Sequence, residues 1–148
     1  MSVITVKAAV IAAMQEISNI GLVEGRDGRT EALPWEDATV DYPLPLWVVK
    51  LTGSEHIKQS LGQKLDQHTF TIRGYFPHSF EADSEAVFDG YIAAIKEKFK
   101  ADPALDVCAK TLPPRLLEND FVMYGAQTGQ ALCHFARIEL QCQEWISA

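Results

Sequence analysis

A chain of 148 residues fits one domain and is long enough to bury roughly 70% of its unfolded surface. Hydrophobic residues make up 47% and charged residues 22%, an ordinary globular balance, and no run approaches the ~20 apolar residues of a membrane span. A formal charge of −7 and a pI of about 5.0 argue against a phosphate-binding face, which needs clustered Lys and Arg, but leave room for a surface that DNA slides past.

From Val3 to Ser18 the apolar positions Val6, Val10, Ala13, Met14 and Ile17 fall on one face of a helix. Ser2 is its expected N-cap, and Asn19 to Gly21 its stop, because Asn and Gly tolerate the left-handed conformation that ends helices. The segment lacks a basic n-region, so a folded helix is expected rather than a signal peptide. A short strand at Leu22–Val23 then leads into a long loop over 24–45. Between Glu24 and Asp41 that loop carries six acids and two arginines, a net −4. Loops this long inside compact domains are usually functional or disordered. Leu33, Trp35, Val40 and Tyr42 give this one apolar anchors, so ordering by a partner is plausible.

Leu46 to Thr52 is strand-like, and His68 to Phe76 alternates apolar and polar residues with period two. The residues between, 53–67, are too many for a tight hairpin. They predict a second long loop, or an extension of both strands into a β-arm. Asp83 or Ser84 caps a second helix whose apolar stripe is Val87, Phe88, Tyr91, Ile92, Ile95 and Phe99, with Lys96, Lys98 and Lys100 near its negative end and Pro103 as its stop. Strands are expected over 112–118 and 121–124, a turn at Gly125 to Gly129, and a long final strand over 132–145. The expectation is a single α+β domain over 1–148. Its mixed, mostly antiparallel sheet has four to five strands, with two amphipathic helices packed on one face.

No set of residues makes a convincing reaction centre. His56, His68, His78 and His134 show no helical ligand spacing, and Cys133 and His134, adjacent in a strand, point to opposite faces. Ser54-Glu55-His56 has the residue types of a nucleophile and base, but sequence neighbours are not a triad and no nucleophile elbow is present. Gly125 to Gly129 lacks the Lys-Ser/Thr of a P-loop. Glu81, Asp83, Glu85 and Asp89 could bind a divalent cation weakly, but the positive end of a helix explains them more simply. Cys108, Cys133 and Cys142, without a Cys-x-x-Cys pair, fit buried thiols in a reducing compartment. The reading is therefore a non-enzyme with no cofactor and no metal. Its candidate subunit or partner interface comprises Trp35, Asp37, Tyr42, His56, Lys58, Lys64 and Trp145. Trp47 is expected in the core.

One layout ties these elements together. An amphipathic helix runs into Ile20-Gly21-Leu22-Val23, and a Pro-led strand, Pro45 to Val49, leads into Thr52-Gly53-Ser54-Glu55. The strand His68 to Ile72 precedes an acid-capped helix that ends in Phe99-Lys100-Ala101-Asp102-Pro103, and Phe135 to Trp145 closes the chain. This layout resembles the tail terminator, or tail completion, proteins of long-tailed bacteriophages, including the minor tail protein U type. The resemblance implies a structural virion protein of the tail or neck, present in the host cytoplasm during assembly. It implies a hexameric ring on the last ring of tail tube protein that stops tube growth and presents a surface to the head–tail connector protein. DNA passes through such a ring without specific binding, and no membrane is involved. A hexamer would carry 6 × −7 = −42 formal charges, which would repel DNA phosphates from the lumen. The rival expectations are another neck or head–tail joining protein, and a small cytoplasmic enzyme or ligand-binding domain centred on His56, His68 or His78.

Overall fold

Apolar patterning decides where this chain folds back on itself. The computed structural model describes residues 3–25, 45–60, 62–79, 83–101, 110–124 and 131–147. The chain order is α1 (Val3–Gln15), β1 (Leu22–Gly25), β2 (Leu46–Ser60), β3 (Gln63–Pro77), α2 (Ser84–Ala101), β4 (Lys110–Thr111), β5 (Arg115–Tyr124) and β6 (Ala131–Ser147). All six strands join one sheet in the order β1-β2-β3-β6-β4, with β5 also paired to β6. Among the described strands only β1 and β2 are a parallel pair. The α+β fold with a mixed, mostly antiparallel sheet is therefore as expected, with β4 as an additional two-residue strand. No described helix is long and apolar enough to cross a membrane.

Both helices cover one face. Val6, Val10, Ala13 and Met14 of α1 and Phe88, Ile92, Ile95 and Phe99 of α2 pack on Trp47, Val49, Phe70, Ile72, Ala136, Ile138 and Leu140. Each fully buried large side chain contributes roughly 1.5–3 kcal/mol. The centre is Trp47, which stacks on Phe88 with ring centroids 5.7 Å apart and donates its indole N–H to the Ile20 carbonyl at 3.0 Å. The indole lies over Gly74, where an added Cβ would come within 2.2 Å of it, so the cross-strand partner of Trp47 has to be glycine.

α1 ends at Gln15 rather than Ser18, because its last turn tightens. Glu16 and Ile17 bond back three residues, to Ala13 and Met14. Asn19, at φ 60°, and Gly21, at φ 90°, then reverse the chain as expected, and a side chain at Gly21 would strike the Pro45 carbonyl. That carbonyl accepts the Leu22 N–H and starts the parallel pairing of β1 with β2. A parallel pair cannot be joined by a tight turn, so the length of the 24–45 segment has a topological cause.

α2 is capped by Asp83, whose Oδ1 accepts the Ala86 N–H at 3.1 Å. Thr111 of β4 donates to the Phe99 carbonyl near its other end. Of the two expectations for 53–67, the described residues form the β-arm rather than a loop. β2 and β3 run through it as a hairpin arm, paired to Ser60 and Gln63, and β6 follows β3 to Ser147. The strands expected over 112–118 and 121–124 are one strand, β5, with a register shift between Leu116 and Glu118. The opposite sheet face holds a second apolar cluster of Leu46, Val48, Tyr75, Cys133 and Phe135, beside the expected polar residues. Ser2, most of the 24–45 loop, Glu81, Pro103, Cys108 and the 125–129 turn lie outside the described residues.

Candidate functional site

Two polar constellations interrupt the apolar helix-covered face, one where the arm leaves the core and one at the start of α2. The first exists because of a bulge. In β2, Trp47, Val49 and Leu51 face the helices, opposite Gly74, Ile72 and Phe70. Simple alternation would send Ser54 and His56 to the other face. The extra residue, Thr52, shifts the register, so that Gly53 pairs with Thr69 and Ser54 with His68. Thr52 itself bonds across the opposite face to the Thr71 hydroxyl at 3.0 Å. Ser54 and His56 are thereby re-aimed to the helix-covered side.

Three strands then carry a continuous polar chain. Ser54 Oγ lies 2.8 Å from His68 Nδ1, and His68 Nε2 lies 3.2 Å from Glu144 Oε1. Ser54 is exposed, His68 is 5% exposed and Glu144 2%. The other Glu144 oxygen, Oε2, has no hydrogen-bond partner among the described residues. One rung further out, His56 Nδ1 lies 3.0 Å from Asp66 Oδ1, and Lys64 Nζ lies 3.8 Å from Asp66 Oδ2. The His56 hydrogen bond holds the Asp66 carboxyl below its usual range, against a smaller opposing effect of burial. A shallow depression of about 400 Å³ is lined by Ser54, Glu55, His56, Lys64 and Asp66.

The second constellation centres on His134 of β6. Its Nε2 lies 2.8 Å from Ser84 Oγ, which in turn accepts the Ser79 N–H at 3.1 Å. The imidazole packs against Phe76, Phe88, His78 and Phe121. Burial pushes its pKa down, and the neighbouring His78 adds to that, while Glu85 and Asp89 oppose it. The Ser84 hydroxyl also donates to the Ser79 carbonyl at 3.3 Å, and its contact with His134 ties the start of α2 to the sheet. Cys133 points to the other face, as strand alternation requires, and burial raises its thiol to about 12, leaving it unreactive.

Of the residues expected at an interface, the structure brings His56 and Lys64 together through Asp66. Trp145 is 43% exposed but lies on the opposite face, across from Leu65, so it does not join them. Lys58 is in β2, its side chain outside the described residues, as are Trp35, Asp37 and Tyr42. Asp66 and Glu144 were missed by sequence reasoning. Neither has a local signal, since their roles come from cross-strand partners and Glu144 is 76 positions from His68. Among the described residues no group of three or more His, Cys, Asp and Glu is arranged to hold a metal ion.

The arm also has a geometry of its own. β1 pairs with β2 only from Leu46 to Val49. From Leu51 to Ser60 the backbone of β2 is bonded to β3 on one side and to no described strand on the other, and Thr52 to Ile57 are all exposed. No protein-family model matches this chain, and no curated protein matches it in sequence.

Proposed function

We propose that this chain is a structural subunit that assembles as a ring on the phage tail tube, ends tube growth and offers the surface to which the head is joined. The observation that carries the assembly reading is the open edge of β2. Along Leu51 to Ser60 no described strand pairs with the outer side of β2, and the N–H and C=O groups of such an edge are a template for another strand. β2 bears no proline there and extends well past the strand that shields its start. The phage assignment is supported by the sequence layout alone, and the net charge of −7 fits a channel that DNA must traverse without sticking. The test is tail length by electron microscopy in particles assembled without this protein. Over-long or ragged tails without heads are expected. Tails of normal length that fail to join heads would make it a joining protein, and normal virions would remove it from the phage context.

A second reading is favoured by one observation, the Ser54–His68–Glu144 chain. An exposed hydroxyl, an imidazole and a buried carboxylate in series are the parts of an acyl-transfer site, here with the serine on Nδ1 and the carboxylate on Nε2. Ser54 sits in an extended strand just past a bulge, within β2, rather than on the strand-to-helix elbow that presents a nucleophilic serine. We therefore rank the chain as structural. Labelling of Ser54 by an organophosphonate ester, lost in His68→Gln, would reverse that ranking.

A further inference from the structure

The sheet has a second open edge. β5 pairs with β6 on one side and with no described strand on the other, and Arg115 to Phe121 are all exposed. Among the described residues, four of the seven exposed large apolar side chains lie on these two edge strands: Ile57 on β2, and Leu116, Leu117 and Phe121 on β5. The open edges are similar in length, Leu51 to Ser60 and Arg115 to Tyr124, and lie on opposite sides of the same sheet.

We infer that the open edge of β2 in one copy pairs with the open edge of β5 in the next, so that a second copy of this chain is the occupant of both. The inference rests on the assembly reading above and names the surfaces it uses. Strand directions permit it. β2 and β6 run the same way, each antiparallel to β3, and β5 runs opposite to β6. A β2–β5 junction formed by a simple rotation between copies is therefore antiparallel, the more stable pairing. Saturation also selects it. Pairing β2 with β2, or β5 with β5, closes a two-fold dimer that leaves the other edge open. A head-to-tail junction uses both of these edges in every copy and leaves neither of the two open when the ring closes.

The placement of the edges adds a geometric reason. At the start of β2 the edge is shielded by β1, so its open part lies toward the arm tip. On the far side, β4 occupies β6 near the arm, at Cys142 and Gln143, so β5 lies toward the other end, from Glu139 to Ala131. The open segments are thus diagonal across the sheet. Joining them at one height about a ring axis tilts every strand, and tilt with a staggered register is what a closed sheet requires. The continuous sheet would line or encircle the ring, with the helices on one side of it.

The test is disulfide trapping between singly substituted full-length chains in a Cys108→Ser background, where the remaining cysteines are buried. Glu55→Cys on β2 is mixed with Glu118→Cys or Asp120→Cys on β5, and with Glu97→Cys at an exposed position of α2 as control. The expected result is β2–β5 dimers several-fold above both like-with-like products and the control. The double variant should give a ladder of covalent oligomers. Dominant β2–β2 or β5–β5 products would overturn the inference, and so would cross-linking no higher than the control. If sedimentation still shows a ring in that last case, the pairing has failed and the ring reading stands. Correct pairing with unchanged tail length in the absence of the protein would instead sink the terminator reading alone.

Discussion

The two halves of the β2–β3–β6 sheet are built from the same three strands and the same face, yet they are held together by different physics. Near the helices the face is Trp47, Val49, Phe70, Ile72, Ile138 and Leu140, closed by Phe88, Ile92 and Ile95. Toward the arm tip it is Ser54, His56, Asp66, His68 and Glu144, joined by hydrogen bonds between strands. The first half draws its stability from burial, which is non-directional and scales with area. The second draws on pairs that stabilise little beyond the cost of desolvating them, and it depends on every partner being present. A sheet can therefore reach beyond its helices, but the reach is marginal in stability and leaves an edge available for another chain.

The largest test of this contrast is at its apolar centre. Trp47→Ala should cost about 4 kcal/mol, within the usual range for deleting a large buried aromatic, measured by urea unfolding. A loss below about 1 kcal/mol would mean that the helix-covered half is not the stability centre. Next comes the buried pair. His68→Leu strands the Glu144 carboxylate and should cost about 3 kcal/mol, whereas His68→Leu with Glu144→Leu should recover most of that loss. Recovery in the double variant would sharpen the view that the polar rung is retained for something other than stability, while additive losses would break it.

The smallest effect expected is with pH, and it belongs to the other constellation. The folded pKa of His134 is depressed below 6.5, so the unfolded chain binds more protons as the pH drops through that range. Its contribution is complete above about pH 6.5 and is lost as the pH falls toward the folded value. Melting temperature should decline from pH 7 to pH 5, and His134→Phe should flatten that slope. The depressed Asp66 carboxyl acts in the same direction but only below about 3.8, so the two are separable by pH.

Much of the core was legible because apolar residues repeat at the period of the element they belong to. Val87, Phe88, Tyr91, Ile92, Ile95 and Phe99 mark α2, and four of them are buried. Asp83 marks its cap through a short local hydrogen bond. The arm was harder, since 53–67 is polar and carries no buried face to reveal its strand period. The Ser54–His68–Glu144 chain was illegible for a further reason. The sequence places Ser54 beside His56, but a single bulged residue, Thr52, gives it to His68 instead.

By itself the sequence determined most of the element types, the Asp83 cap of α2 and the two-helix cover, because each depends on local periodicity or local hydrogen bonding. Tertiary structure alone decided that Gly74 must lie under Trp47, that β1 joins β2 in parallel, that Asp66 bridges His56 and Lys64, and that the β2 and β5 edges left without a described partner lie diagonally across the sheet. Those features depend on register between residues distant in the chain. Register is set by how whole strands bury one face together, so it appears only once the strands are assembled.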